Sequence, residues 1–241
     1  MHLPKKIDLV FRFKSFEIEQ SKSAMKVGTD GVLLGAWTTP SSPPKHILDI
    51  GTGTGLIAIM MAQRFEDANI IGIDVDSEAV QEATLNMTNC QWYKRLSCYE
   101  SSLQNANFNH SFDLIVCNPP YFKNTTTSND DRRTKARHTS SLSLNDIFEK
   151  MDVLLSPKGE LIIVYPSENI QEIKANLKSF GLYMNEICWV KGNEKSNVKR
   201  VLLKISKQKK TLIENQLTIE KERHQYTDEY VGLCKDFYLN L

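Results

Sequence analysis

The chain has almost no net charge. Its 241 residues carry 30 Lys plus Arg against 29 Asp plus Glu, a formal charge of +1. A whole-molecule electrostatic pull on nucleic acid is thereby excluded, and any such contact must come from local patches. Cysteine is sparse and scattered. Cys90, Cys98, Cys117, Cys188 and Cys234 are odd in number and include no Cys-x-x-Cys pair. Neither a disulfide framework nor a zinc site is implied, and no metal is expected. No apolar run approaches the roughly 20 residues that span a bilayer, and residues 1–10 lack the apolar stretch of a secretory signal. A cytoplasmic protein without a membrane partner is expected. Internal repeats and low-complexity segments are missing too. What is present is 41% hydrophobic residues, enough for one core with small additions at the ends. No oligomeric state follows from this composition.

Along the chain, residues 11–18 alternate apolar and polar, which predicts a short strand or strand pair. Thr29-Asp30 is expected to cap a helix reaching 37. Residues 38–45, with Pro40, Pro43 and Pro44 among serines, read as a linker. A regular α/β pattern follows: strand 47–50, turn 51–55, helix 56–65, strand 69–74. Ser77 is expected to cap a helix with Val80, Ala83 and Met87 on one face. Residues 96–99 form a weaker strand and 112–117 a stronger one. Residues 124–143 are polar, basic and aperiodic, a long excursion of the kind that is usually functional. Ser143-x-x-Asp146 starts a helix to 155, then comes strand 160–165. Ser167 caps a helix with Ile170, Ile173, Leu177 and Phe180 inward. Strands 183–190 and 198–205 break the βα alternation, so the sheet should end in an antiparallel edge. The tail 226–239 reads as a helix.

Asp49-Ile50-Gly51-Thr52-Gly53-Thr54-Gly55 joins a strand to a helix. Glycine serves where backbone lies close to a ligand or takes positive φ. The dinucleotide fingerprint is G-x-G-x-x-G with pyrophosphate on the helix N-terminus. The spacing here is G-x-G-x-G, and Asp49 stands two positions before it. A carboxylate there repels pyrophosphate but suits a cationic amino-acid ligand. Asp74 ends the next strand about 20 residues on, where it can accept from ribose hydroxyls. S-adenosylmethionine is therefore favoured over a nicotinamide cofactor. The bland alternative is a tight βα turn without a ligand.

Asn118-Pro119-Pro120-Tyr121 follows the strongest strand. The Asn118 amide oxygen and the Pro119 carbonyl can each accept one N–H from an exocyclic amine, such as that of adenine. Such an amine shares its lone pair with the ring. Gripping it draws the nitrogen toward tetrahedral geometry and frees that lone pair. Tyr121 can stack on the base. Positioning then supplies most of the catalysis and no strong general base is needed. A stacked base cannot enter, so the target is flipped or unpaired. The alternative is a plain turn, since Asn and Pro are turn residues.

These residues resemble class I methyltransferases, and among them the N6-adenine type. Phe11-Arg12-Phe13-Lys14-Ser15-Phe16, then Met25-Lys26-Val27-Gly28-Thr29-Asp30-Gly31-Val32-Leu33-Leu34-Gly35-Ala36-Trp37, resemble the bacterial tRNA1(Val) (adenine-37-N6)-methyltransferase family. The likeness runs through Arg200-Val201-Leu202-Leu203 to the tail and covers nearly the whole chain. It implies a Rossmann-like α/β fold: a seven-stranded, mostly parallel sheet with strand seven antiparallel and helices on both faces. An N-terminal extension, 1–44, would cover the cofactor site of a methyltransferase domain, 45–241, in one globular unit. The resemblance implies S-adenosylmethionine as donor and, as partner, a valine tRNA whose adenosine next to the anticodon is methylated. By position, Lys26, Thr29, Asp30 and Gly31 would lie over the methionine end of the cofactor. Asp49, Gly51, Gly53 and Gly55 would form its floor, and Asp74, with Val75 beside it, would hold the ribose. Near the cofactor adenine many relatives place an Asp; here Ser102 stands in its place, with Glu100 as the alternative.

Arg132, Arg133, Lys135 and Arg137, with His138 beside them, follow the Asn-Pro-Pro-Tyr motif. Lys191, Lys195, Lys199, Arg200, Lys204, Lys207, Lys209 and Lys210 cluster near the last strand pair. Either group can contact tRNA phosphates, or be a solvated surface. Lys199 and Arg200 are the RNA candidates of the second group. Asn-Pro-Pro-Tyr is shared with protein N5-glutamine and rRNA guanine-N2 methyltransferases, which are the enzymatic rivals. A non-catalytic RNA-binding protein on the same fold is the rival from another class.

Overall fold

A computed structural model describes residues 9–119 and 142–241. Pro120, Tyr121, Arg132, Arg133, Lys135, Arg137 and His138 lie outside the described residues. The elements are β1 (Val10–Arg12), β2 (Glu17–Glu19), α1 (Thr29–Trp37), β3 (His46–Ile50), α2 (Leu56–Arg64), β4 (Asn69–Asp74), α3 (Ser77–Asn89), β5 (Leu96–Glu100), β6 (Phe112–Cys117), α4 (Leu144–Leu154), β7 (Leu155–Pro166), α5 (Ile170–Leu177), β8 (Tyr183–Asn193), β9 (Val198–Ser206), β10 (Ile213–Glu222), β11 (Gln225–Tyr226) and α6 (Asp228–Cys234).

One sheet dominates, in the order β11-β10-β8-β9-β7-β6-β3-β4-β5. β3, β4, β5, β6 and β7 are mutually parallel. Their cores are continuous apolar runs, the mark of strands covered on both faces; Leu114, Ile115, Val116 and Cys117 of β6 are all solvent-excluded. One face packs against α1, α2, α3 and α6. The other packs against α4 and α5, through Ile147, Phe148, Met151, Ile170, Ile173 and Leu177. Each fully buried Leu, Ile or Phe contributes about 1.5–3 kcal/mol.

The expected seven strands are present, and β9 is antiparallel to both β7 and β8. The sheet does not end there. β9 is sandwiched between β7 and β8, and β10 adds outside β8 in parallel, followed by β11. Among the described residues the sheet thus has nine strands. β10 buries only Leu217, so its polar sequence carries little period-two signal.

Four helix boundaries also shift; one is the start of α5, whose N-cap is Asn169 and not Ser167. Gly28, not Thr29, is the N-cap of α1. Asp76, not Ser77, caps α3 by accepting from the Glu78 N–H at 2.9 Å. The buried face of α3 is Ala79, Glu82, Ala83, Asn86 and Met87, not one through Val80. The tail helix spans only Asp228–Cys234. Beyond it Tyr238 bridges to Phe13, and Lys14 N donates to Phe237 O at 2.8 Å. The segment after β1 and the C-terminal tail therefore meet, with Phe13 stacked between Phe16 and Tyr238. The helix start expected at Ser143-x-x-Asp146 forms, as a capping box.

Candidate active site

The carboxyl ends of β3, β4, β5 and β6 open onto a cavity of about 1030 Å³, at the upper end of the usual range for small-molecule sites. Ligands of open α/β sheets bind at this edge. Segment 23–31, Arg200, and Leu142 and Asp146 at the start of α4 close the remaining sides.

The glycine loop forms the floor. Gly51 and Gly53 have φ of +69° and +55°, and a Cβ on either would meet no atom within 4 Å. Their bare backbone leaves open a space that side chains would fill. Gly55 is turned the other way: a Cβ there would come within 3.3 Å of Ala83 and Met87. It is a packing contact against α3 and does not line the cavity.

Asp49 does not line the cavity either. It is fully buried beneath the loop, where Oδ2 accepts from Thr52 Oγ1 at 2.7 Å and Ala58 N at 3.2 Å. Burial pushes its carboxyl up to about 7; the bonds from Thr52 and Ala58 oppose this and nearby Asp74 adds to it. Oδ1 has no hydrogen-bond partner among the described residues.

Asp74, half-buried at the end of β4, lines the cavity. Its oxygens accept from Gly53 N at 2.9 Å and Asp76 N at 3.0 Å, which ties the loop to the next strand. Val75 and Ser102 also line the wall, whereas the exposed Glu100 is not on it. Of the two adenine candidates, Ser102 lines the cavity and Glu100 does not.

Asn118 lines the cavity at the end of β6 and is followed by buried Pro119. Gly31 faces it. A Cβ on Gly31 would lie 3.4 Å from Leu56 and 3.9 Å from the Asn118 amide nitrogen, so the first turn of α1 approaches Asn118 closely. Lys26, Thr29 and Asp30 complete that wall. The Lys26 ammonium donates to the carbonyls of Gln20 and Ser23, so it holds its own segment together. Asp30 pairs with Arg200 at 2.7 Å. Arg200, an RNA candidate by sequence, thus stands in the cavity wall beside α1.

The later basic cluster divides. Lys204 pairs with Glu186 at 2.7 Å, Lys207 donates to the carbonyls of Asp152 and Leu155, and Lys210 pairs with Glu160. Lys191, Lys195 and Lys199 sit on the β8–β9 hairpin and form no ion pair among the described residues. Burial pushes all five cysteine thiols above their ordinary value, which makes them poor nucleophiles. Among the described residues no cluster of His, Cys, Asp and Glu could hold a metal ion, and no helix is long and apolar enough to cross a membrane.

Sequence reasoning missed Met25, Leu142 and Asp146 on the wall. It also missed Glu82 and Asn86, whose polar side chains on the buried stripe of α3 were the available signal.

The wall suits S-adenosylmethionine. Asp74 offers acceptors for ribose hydroxyls, and bare glycine backbone leaves room for the ligand. The first turn of α1 has no side-chain cap, which leaves amide donors for a carboxylate.

Sheet order, glycine loop and a cavity at the strand ends define a class I methyltransferase. Known structures share this fold. A predicted O-methyltransferase from Agrobacterium tumefaciens superposes with TM-score 0.66 at 18% identity, over 86% of this chain and 96% of its own. Pyrococcus horikoshii TYW2 gives 0.58 at 13%, over 83% and 71%. Residues 21–187 match the methyltransferase small domain family. The tRNA1(Val) (adenine(37)-N6)-methyltransferase of Flavobacterium psychrophilum is 42% identical over 234 residues, 96% of this chain and 100% of its own. Its namesake in Vibrio vulnificus is 36% identical over 231 residues, 96% of each chain. The chain belongs to the tRNA1(Val) (adenine(37)-N6)-methyltransferase family.

Proposed function

We propose that this protein methylates N6 of adenosine 37 in the anticodon loop of a valine tRNA, with S-adenosylmethionine as donor. A tRNA substrate supports a cytoplasmic site of action. When bound, the cofactor supplies a methyl group on a positively charged sulfur. Gly51 and Gly53 would bear it, Asp74, with Val75 beside it, would hold its ribose, and Ser102 would face its adenine. Segment 1–44 is read as the cover, with Lys26 holding residues 20–26 in shape and Thr29, Asp30 and Gly31 over the methionine end.

Asn118 accepts one N–H of the adenine amine through its amide oxygen, and the Pro119 carbonyl accepts the other. Tyr121, outside the described residues, is assigned by its place in the motif to stack on the base. Both acceptors pull the nitrogen lone pair out of conjugation and aim it into the cavity. The proton leaves to water after transfer, and no buried carboxylate or thiol is called on. Among the described residues, Lys191, Lys195 and Lys199 of the β8–β9 hairpin would meet tRNA phosphates. The observation that carries this reading is the position of Asn118: it stands on the same cavity as the glycine floor, in a chain matched nearly end to end by tRNA adenine-N6 methyltransferases.

Nucleoside mass spectrometry tests it. Protein incubated with labelled S-adenosylmethionine and unmodified valine tRNA is expected to yield N6-methyladenosine at position 37. Label entering a release factor instead would favour a glutamine methyltransferase, and label in neither would favour a binding protein without turnover.

A further inference from the structure

Two polar residues on the buried face of α3 have no part in the chemistry above. Glu82 is 3% exposed and Asn86 2%. They lie four apart, one helical turn, on the same face. Burying a carboxylate is costly unless its oxygens are hydrogen-bonded. Glu82 has no ion-pair partner among the described residues. Its acceptors are filled by three consecutive residues of the N-terminal segment: Lys22 N at 2.7 Å, Ser23 N at 2.9 Å and Ser21 Oγ at 3.2 Å. Burial alone would raise this carboxyl, but those donors outweigh it and hold the group below its ordinary value. Asn86 accepts from Glu19 N at 2.9 Å and donates to Glu19 O at 2.8 Å. It also donates to Thr54 O in the glycine loop at 2.9 Å.

Residues 19–23 are thus fastened to α3 by side-chain hydrogen bonds. That fastening passes forward to the cavity. Gln20 O and Ser23 O take the Lys26 ammonium, and Gln20 Oε1 accepts from Val27 N at 2.8 Å. Residues 23–31 then form the wall above the glycine floor.

We propose that Glu82 and Asn86 are positioning residues that latch segment 19–27 to α3 and so set the wall facing the glycine loop, resting on the reading of this cavity as the S-adenosylmethionine site. The latch is polar. Water can replace each of its bonds, and of residues 19–27 Val27 alone packs against the apolar core, so the segment can lift to admit ligand and close again at little cost in apolar burial.

The test pairs amide hydrogen exchange of the cofactor-free protein with titration by S-adenosylmethionine. Glu82→Gln is nearly isosteric and keeps one acceptor, but turns an amide against the donors of 21–23. It is expected to speed exchange at 19–24 and weaken cofactor binding, each roughly tenfold. kcat at saturating cofactor is expected to stay within about twofold, since binding and not the transition state is touched. Asn86→Ala is expected to act likewise and also to loosen 51–55. Lys22→Ala keeps the backbone donor and loses only the exposed bond from its ammonium to Gln81 Oε1 at 3.0 Å, so it is expected to change each readout by less than about twofold. The proposal is overturned if exchange at 19–24 and the dissociation constant stay at wild-type values in Glu82→Gln. It is equally overturned if exchange rises throughout β3, β4 and β6 while kcat falls at unchanged affinity, the pattern of a general folding defect. Exchange is read without cofactor, so a wild-type protein that binds none would sink the functional reading and leave the latch standing or falling on its own.

Discussion

The two walls of the cavity are built in different ways. The glycine-loop wall is continuous with β3, β4 and α2, so the most buried part of the sheet holds it from beneath. Its tie from Gly53 N to Asp74 is short and local to the strand ends, and α3 adds one bond to it, from Asn86 to Thr54 O. The facing wall, 23–31, belongs to the N-terminal segment. Side-chain bonds from α3 and the Asp30–Arg200 pair hold it in place. The first wall is pre-formed, as a binding floor should be. The second is fastened by groups that water can replace. A site that must take in a cofactor and then a nucleotide can stay rigid where it binds and give where it admits.

If that division is right, the largest effect belongs to the residue between the walls. Asn118→Ala is expected to lower kcat by roughly 10²–10³-fold, the scale of deleting one transition-state hydrogen bond. The cofactor dissociation constant should change little, because Asn118 is assigned to the acceptor. Calorimetric titration beside single-turnover methylation checks this; lost cofactor affinity with intact turnover would move Asn118 to the floor. Asp74→Ala is next. It is expected to weaken cofactor binding by about 1.5–3 kcal/mol, the range for hydrogen bonds to a charged group. An unchanged titration would put the ribose elsewhere.

Much of this contrast was legible in the sequence on one side only. Continuous apolar runs marked β3, β4 and β6, and three glycines between Asp49 and Leu56 marked the loop. These signals are local: a strand buried on both faces and a backbone with positive φ each leave their imprint in adjacent residues. The facing wall is non-local. Glu82 binds Lys22 across 60 positions and Arg200 binds Asp30 across 170. No periodicity records such pairs, and on a helical stripe Glu82 and Asn86 look like interruptions. β10 was missed for a similar reason, since its place is set by edge pairing with β8 and a single buried leucine. The family resemblance did reach Lys26 to Gly31, but through their order in the chain and without the bonds that hold them.

Asp49 sharpens the comparison from beneath the rigid wall. Its carboxyl is raised from 3.8 to about 7, so between those values the folded protein binds a proton that the unfolded chain does not. Stability therefore falls as pH rises through that window, and the full penalty stands above it. Asn at this position carries no such penalty. The whole shift corresponds to roughly 4 kcal/mol at 1.36 kcal/mol per unit, and part is forfeited because the new amide meets no acceptor. Asp49→Asn is expected to be about 1–2 kcal/mol more stable than wild type at pH 8 and to lose that advantage by pH 5. Denaturant unfolding at both values decides; a gain that did not vary with pH would mean that charge is not the cause.

The smallest effect is expected at the rim. Arg200 anchors the β8–β9 hairpin to α1, while Lys191, Lys195 and Lys199 stand further out with no ion pair among the described residues. Each phosphate contact adds about one unit to the slope of log affinity against log salt. Lys195→Ala with Lys199→Ala is expected to flatten that slope by up to about two and to raise the tRNA Michaelis constant a few-fold at moderate salt. kcat and cofactor affinity should not move, because neither wall is touched. Lys204→Ala is the control: its ammonium is already held by Glu186 at 2.7 Å, so removing it should leave the salt slope as it was. If the control flattens the slope and the rim pair does not, tRNA approaches over the β7–β9 face and the hairpin is only a solvated edge.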